Sequence, residues 1–124
     1  MRKIGFFDIY VDNMDRAQEF YETVLETRLS EMDDPNDSNV QMRVFNDDFQ
    51  SHGAGGSLVK VNGAKPGPGG TMVYFSCEDC IVEEERAQKA GARVVRSKFS
   101  IGEHGFVSLI ADTEGNIIGL HSMK

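Results

Sequence analysis

The sequence predicts an α+β domain in which two βαβββ modules pair their sheets. Segments with strand and helix periodicity follow the order β-α-β-β-β and then repeat it, and "GAKPGPGG" between the two runs has the composition of a linker. Each module alone would leave a sheet face that is too small to bury, so we expect the two sheets to pair. The expected boundaries are a single domain over 1–124, with module one at 1–62, the linker at 63–70 and module two at 71–124.

Module one is expected to open with a strand, "KIGFFDIYV" at 3–11, and a helix, "DNMDRAQEFYETVLE" at 12–26. Asp12 or Asn13 can cap this helix. Its apolar residues recur every three to four positions, which is the period of an amphipathic helix. They are Met14, Ala17, Phe20 or Tyr21, and Val24 or Leu25. Three shorter strands are expected next, at 28–32, 40–45 and 57–61.

Module two is expected to repeat this order with a strand at 71–77 and a helix at 78–91, where Gly91 is a suitable cap. Three further strands are expected at 92–97, 105–112 and 116–122, the last two joined by the hairpin turn "DTEG". Gly119 lies inside the final strand. Glycine there costs roughly 0.5 to 1 kcal/mol relative to alanine, so it calls for a bulge, a close backbone approach or an emptied pocket.

Charge and composition limit the classes of partner. The formal net charge is -7, which argues against nucleic acid and against an anionic membrane surface. No apolar run reaches the roughly 20 residues of a membrane helix, and the N-terminus meets acidic residues too early for a signal peptide. The two cysteines, Cys77 and Cys80, fit a reducing compartment. We therefore expect a cytoplasmic protein without nucleic-acid or membrane partners.

Four stretches carry a resemblance to a known family: "DIYVDNMDRAQEFYETVL", "GGSLVK", "VYFSCEDC" and "DTEGNIIGLHS". Together they resemble the vicinal oxygen chelate superfamily, which includes glyoxalase I, extradiol dioxygenases, fosfomycin-resistance enzymes and bleomycin-resistance proteins. The resemblance implies the glyoxalase/bleomycin-resistance-like fold, in which two βαβββ modules curl mixed sheets around a cavity. It also implies a homodimer, a small-molecule ligand and, in the metal enzymes, a divalent cation that polarises two substrate oxygens.

The positions that the resemblance assigns to metal ligands carry poor donors here. They are Phe6 in the first strand, Met72 in the fifth and Gly119 in the last, with the fourth position at Ser57 or Val59. Phenylalanine and glycine side chains donate no ligand, and a thioether is a poor ligand for hard cations. The sequence is therefore expected to belong to a metal-ligand-poor bacterial branch of the superfamily that needs no cofactor, although a divalent metal remains an alternative.

The function predicted from this combination is metal-independent binding of a small molecule by a homodimer. Apolar and aromatic side chains are expected to line its clefts, with His121 on the same strand face as Gly119. The candidate ligand-binding residues are Phe6, Phe45, Met72, Tyr74, Phe75, Gly119 and His121. Because the chain is acidic, cationic ligands are favoured.

The alternative function is a lyase, isomerase or dioxygenase-related enzyme of the glyoxalase type. Its candidate catalytic residues are Glu103, His104 and His121, and the glycine-flanked segment 97–106 is expected to be a loop that could act as a lid. A replacement metal site built from these three residues and His52 is a further alternative, although no spacing signature indicates it. The "CEDC" stretch has the spacing of a redox dithiol, but small core cysteines are the favoured interpretation.

Overall fold

The computed structural model describes residues 4–34, 36, 39–45 and 53–124. His52 lies outside the described residues. The described residues form eight strands and two α-helices, which confirm the α+β fold with two βαβββ modules. Module one contains β1 (Phe6–Tyr10), α1 (Met14–Leu25), β2 (Ser30–Asp33), β3 (Gln41–Val44) and β4 (Gly55–Lys60). Module two contains β5 (Tyr74–Ser76), α2 (Cys80–Lys89), β6 (Arg93–Ser100), a short 3₁₀ turn (Gly102–His104), β7 (Phe106–Ala111) and β8 (Ile117–Ser122).

The two modules form separate four-stranded sheets of identical topology. The strand orders are β1-β4-β3-β2 and β5-β8-β7-β6. In each sheet the first and last strands of the module are parallel neighbours, and the other pairs are antiparallel. The sheets are therefore mixed, and they do not close into one barrel.

Matching backbone hydrogen bonds define how the two modules correspond. Val11 N donates to Val59 O at 3.0 Å, and Cys77 N donates to His121 O at 2.7 Å, each just after the first strand of its module. Val59 is therefore equivalent to His121, and Ser57, two residues earlier, is equivalent to Gly119. The fourth ligand position that the sequence left between Ser57 and Val59 accordingly falls on Ser57.

Both helices begin next to a residue whose side chain caps them, and in α1 this residue is one of the two caps that the sequence predicts. The Asn13 side chain caps α1 by accepting from Arg16 N, and Asp79 caps α2 by accepting from Ile81 N. The apolar stripe of α1 is buried against the sheets. One carboxylate joins α2 to its sheet, because Glu84 accepts hydrogen bonds of 2.7 Å from Ser108 Oγ, from Lys98 N and from Ser97 Oγ.

A single hydrophobic core joins the two modules. It lies on the helix side of both sheets, where Phe7, Tyr21, Phe45 and Phe75 form a cluster of ring contacts. The Phe7 and Phe75 ring centroids, from β1 and β5, are 6.0 Å apart in an edge-to-face arrangement. Burial of these rings therefore holds the first strands of the two modules beside each other.

The faces opposite the helices remain open. Side chains alternate along a strand, so Ile9 of β1 is buried while Phe6 is 76% exposed. On the second sheet Tyr74 is 52% exposed in the same way. We call these surfaces the first and second open faces. Within the described residues, neither helix is long and apolar enough to cross a membrane.

The segment 97–106 differs from its sequence prediction. Its first part, Ser97 to Ser100, belongs to β6, and only Ile101 to Gly105 form the connection to β7. The cause is the buried Glu84 carboxylate, which accepts hydrogen bonds from Ser97 and Lys98 and ties this stretch to α2. Contacts across the fold therefore extend a strand where local glycine and serine residues favour a loop.

Candidate functional site

Two cross-strand rows form the second open face. Pairing register places Tyr74, Gly119, Leu109 and Arg96 in one row, and Ser76, His121, Val107 and Phe99 in the next. Residues opposite each other on neighbouring strands point to the same side of a sheet. The rows bring together side chains from four strands that are far apart in the sequence.

A pocket of about 460 Å³ lies on these rows. It is lined by Tyr74, Phe99, Ile101, Val107, Leu109 and His121. We call it the second-sheet pocket. Its walls are mostly aromatic and aliphatic, with an imidazole and a phenol as the polar groups. This combination of apolar walls and few polar groups is typical of a small-molecule site.

The Tyr74 ring explains the glycine in the last strand. An ideal Cβ built on Gly119 would overlap this ring, with the Tyr74 Cγ only 2.9 Å away. Tyr74 and Gly119 are paired in register on the parallel strands β5 and β8. Of the three reasons considered for a glycine here, close approach is the one observed, and the approaching group is a side chain. The Tyr74 ring occupies the space in which a residue 119 side chain would begin.

His121 is held by the connection between β6 and β7. Its Nε2 lies 2.7 Å from the backbone oxygen of His104. Because a carbonyl oxygen only accepts hydrogen bonds, Nε2 must carry the hydrogen in this contact. With the hydrogen on Nε2 only, Nδ1 is an acceptor, and no hydrogen bond to Nδ1 occurs among the described residues. One hydrogen bond thus orients the His121 ring and leaves its other nitrogen available to a ligand.

Glu103 and His104 lie on the 3₁₀ turn beside this pocket. Their side chains are 89% and 76% exposed, with Glu103 Oε1 3.7 Å from His104 Nε2. His104 reaches His121 through its backbone oxygen only. The three candidate catalytic residues are therefore close along the surface, but their side chains do not converge on one point.

The remaining candidate ligand residues lie in different places. Met72 Sδ is 4.0 Å from the Tyr74 hydroxyl, at the edge of the second open face. Phe45 and Phe75 line another cleft, of about 490 Å³, between the modules. Phe6 lies on the first open face. Tyr74, Gly119 and His121 are the predicted residues that the fold brings together at the second-sheet pocket.

The sequence matches the family described as the Glyoxalase/Bleomycin resistance protein/Dioxygenase superfamily over residues 3–120. This chain belongs to that superfamily. The match confirms the resemblance stated from the sequence. No curated protein matches the chain in sequence.

Solved structures of the superfamily have the same fold at low identity. FosX, a genomically encoded fosfomycin resistance protein from Listeria monocytogenes, has a TM-score of 0.71 at 12% identity, covering 98% of this chain and 94% of that one. TnmS3, an antibiotic binding protein from Streptomyces sp. CB03234, has 0.65 at 22% identity, covering 98% and 96%. An E144Q mutant of glyoxalase I from Zea mays has 0.72 at 16% identity, covering 95% of this chain but 46% of the maize chain. The chain thus spans about half of the maize enzyme.

The side chains at the superfamily's ligand positions do not fit a divalent metal. Phe6, Ser57, Met72 and Gly119 include no carboxylate or imidazole. At Gly119 the Tyr74 ring also covers the strand from which a glutamate would project. Among the described residues, no group of three or more His, Cys, Asp or Glu side chains is arranged to hold a metal ion.

The cysteines of "CEDC" belong to the packing of module two. Burial raises the pKa of the Cys77 thiol to about 12, and the neighbouring Glu83 carboxylate adds to the effect. Cys80 is fully buried at the first position of α2. A thiol with a raised pKa yields little nucleophilic thiolate near neutral pH, so the geometry favours core cysteines over a redox dithiol.

Sequence reasoning missed four walls of the second-sheet pocket: Phe99, Ile101, Val107 and Leu109. Two of them follow a signal that was present, since Val107 and Leu109 flank Ser108 in the strand β7 and residues two apart in a strand point to one face. For Phe99 and Ile101 the sequence predicts a loop. Because β6 extends to Ser100, Phe99 instead projects from a strand over the pocket.

Proposed function

We propose that this protein binds a small molecule in the second-sheet pocket without a metal. The observation that carries the proposal is the Tyr74 ring lying over Gly119. In this arrangement a flat aromatic surface replaces the last-strand metal ligand of the superfamily. Gly119 supplies no donor, and the space above it is taken by the Tyr74 ring, which forms a wall of the pocket, so this pair of residues supports both parts of the proposal.

The chemistry of the lining supports a mainly apolar ligand with few polar groups. The volume of about 460 Å³ lies within the usual range for small-molecule sites. Val107 and Leu109 provide a floor, and Tyr74 and Phe99 provide aromatic edges. Nδ1 of His121 and the Tyr74 hydroxyl can orient the ligand. The resemblance in fold to TnmS3, whose description is an antibiotic binding protein, is consistent with this class of function.

A second copy of the chain is part of the proposed site. The second-sheet pocket is open to solvent, and exposed apolar residues also lie on the first open face, where Phe6 is 76%, Met32 41% and Tyr10 37% exposed. Exposed apolar surface of this kind marks an interaction site. In a homodimer the first open face of one copy would cover the second-sheet pocket of the other and complete the enclosure of the ligand.

An enzymatic function is less well supported for this protein than ligand binding. Without carboxylate or imidazole donors at the four ligand positions, the several kcal/mol that a cation contributes to stabilising an enediolate must come from elsewhere. The acid-base alternative relies on Glu103, His104 and His121, two of which are largely solvent-exposed. An exposed carboxylate and imidazole interact in high dielectric, where their effect on a reacting group is small.

The experiment that tests the proposal combines metal analysis with ligand screening. Protein purified without chelators is assayed for Ni, Zn, Mn and Fe, and is then screened in EDTA by thermal shift against neutral, anionic and cationic aromatic compounds. We expect substoichiometric metal and at least one stabilising compound, since a ligand at 100 times its Kd adds about 2.7 kcal/mol. Tyr74→Ala should abolish the shift, while Val82→Ala on α2 should retain it. Stoichiometric metal whose removal abolishes binding would contradict the proposal.

A further inference from the structure

We infer that the ligand of the second-sheet pocket is a flat aromatic molecule with a carboxylate, and that Arg96 binds this carboxylate. The inference rests on the proposed function and specifies its ligand class. The first observation is the position of Arg96. It pairs with Leu109, a residue of the pocket floor, at a point where the β6–β7 register shifts on both sides, and its Cζ lies 3.6 Å from the centroid of the Phe99 ring, a pocket wall. The guanidinium is therefore at the border of the pocket.

Stacking on Phe99 fixes the plane of this guanidinium without using its N–H groups. A cation-π contact at this distance holds the flat face of the group against the ring. The edges, with five donors, stay directed away from the ring. Among the described residues Arg96 forms no ion pair and no hydrogen bond through its side chain. By contrast, Arg16 pairs with Glu114, and Arg86 pairs with Glu26 and Glu83.

The donor geometry favours a carboxylate. A planar guanidinium matches a carboxylate with two parallel hydrogen bonds. A phosphate dianion would call for more positive charge than one arginine, and the rest of the pocket lining is apolar apart from Tyr74 and His121. Nε2 of His121 is already used by the His104 carbonyl. The pocket therefore offers one strong anion contact at one edge.

The charge at the border of the second-sheet pocket is positive, whereas the net charge of the chain is negative. The chain carries -7 overall, which at long range favours cations. Exposed charges are largely screened beyond about 8 to 10 Å at physiological salt. Glu103, on the turn beside the pocket, is 89% exposed and lies near His104, so it is screened in the same way. A ligand in the pocket would touch Arg96 directly, so the positive charge of this side chain favours an anionic ligand over a cationic one.

The aromatic part of the ligand follows from the walls. The Tyr74 ring lies over Gly119, and Phe99 stands on the far side of the β7 floor formed by Val107 and Leu109. A flat ring system can contact both aromatic residues while its carboxylate reaches Arg96. Aromatic pairs contribute about 0.5 to 1.5 kcal/mol beyond area burial, which an aliphatic acid would not gain.

The test uses three probes of one shape: 2-naphthoate, 2-naphthamide and 2-naphthylmethylammonium. Affinities are measured by isothermal titration calorimetry in EDTA. We expect 2-naphthoate to bind at least roughly tenfold more tightly than the amide, as a charge-assisted contact implies. Arg96→Gln should remove this preference and leave amide binding unchanged. Lys89→Gln, which removes an exposed positive charge on α2, should leave the preference intact, and urea unfolding confirms that both variants are folded.

The outcomes distinguish a failure of the carboxylate inference from a failure of the proposed binding function. Equal binding of 2-naphthoate and 2-naphthamide, weakened for both by Tyr74→Ala, would overturn the carboxylate inference and leave the binding function standing. Tighter binding of the ammonium probe would overturn it as well. Failure of all three probes to bind at millimolar concentration would contradict the inference, while a different hit in the thermal-shift screen would keep the binding function.

Discussion

The packing of the Tyr74 ring over Gly119 has a counterpart in module one, where the ring faces the opposite side of its sheet. There Phe7 of β1 is paired in register with Gly56 of β4, and a Cβ on Gly56 would overlap the Phe7 ring. Phe7 faces the shared core, whereas Tyr74 faces the open pocket. An aromatic ring lying over a glycine on the neighbouring parallel strand thus closes the core in one module and builds a pocket wall in the other.

Alanine at position 119 tests this contact. Gly119→Ala must displace the Tyr74 ring, and overpacking of this kind costs typically 1 to 3 kcal/mol, here at the low end because Tyr74 is half exposed. In a Tyr74→Ala background the ring is gone, and the same substitution should stabilise by roughly 0.5 to 1 kcal/mol, the usual gain of alanine over glycine in a strand.

Urea unfolding of the four proteins measures this double-mutant cycle. We expect Gly119→Ala to lower the free energy of unfolding in the wild type and to raise it in the Tyr74→Ala variant. The same destabilisation in both would mean that something other than the Tyr74 ring requires glycine at position 119.

At the scale of elements, local patterns predicted the helices and most strands but not the extent of β6. The stripe of α1 and its Asn13 cap are local features, and both are present. The extension of β6 depends on Glu84, more than ten positions away in the sequence, whose carboxylate accepts from Ser97 and Lys98. No pattern within 97–106 carries that information, so Phe99 and the contact it makes with Arg96 could not be predicted.

The turn between β7 and β8 is fastened to the start of α1. Glu114, whose side chain is inaccessible to solvent, accepts from Asp12 N at 3.0 Å and from Asn13 N at 2.8 Å. Arg16 adds contacts of 2.7 and 3.0 Å from its guanidinium. Burial alone would raise the pKa of Glu114, but the Arg16 and backbone hydrogen bonds outweigh it and lower the pKa to about 2. One carboxylate thereby joins the two modules.

Glu114→Gln should reduce the free energy of unfolding at pH 7 by about 2 to 3 kcal/mol, since it removes the charge of a buried, hydrogen-bonded group. Because the folded pKa lies below the ordinary value of 4.5, this stabilisation is complete above about pH 5 and is lost as the pH falls toward 2.

Urea unfolding from pH 7 down to pH 3 measures the difference between wild type and variant. Glu19→Gln on the exposed face of α1 is the control and should have little effect. If the free energies of unfolding of wild type and Glu114→Gln differed by the same amount at pH 3 as at pH 7, the assigned role of the Glu114 charge would be contradicted.

For the whole molecule, the proposed dimer depends on the two open faces. The helix sides of both sheets share one core, while exposed apolar residues remain on the opposite sides. The sequence predicted paired modules and a cavity. It could not predict that the sheets meet through their helix sides, because that depends on the Phe7, Tyr21, Phe45 and Phe75 cluster packing between modules.

A charge on the first open face should separate the proposed dimer. Phe6→Glu replaces the most exposed ring of that face and, in a chain of net charge -7, would place two further carboxylates in the interface. Sedimentation equilibrium should give a dimer for the wild type and a monomer for the variant. Val82→Glu, at an exposed apolar position on α2, is the matched control and should stay dimeric. A monomeric wild type, or equal disruption by both variants, would contradict the assembly.

A map of the residues that a ligand contacts tests directly whether the second-sheet pocket binds it without a metal. Amide chemical shifts are recorded in EDTA with increasing amounts of the tightest aromatic probe. We expect the largest changes along β7 and β8 and at Tyr74, around the second-sheet pocket, and no further change when a divalent metal is added in excess over the EDTA. Changes confined to the cleft beside Phe7 and Phe45, or changes that appear only with metal, would contradict it.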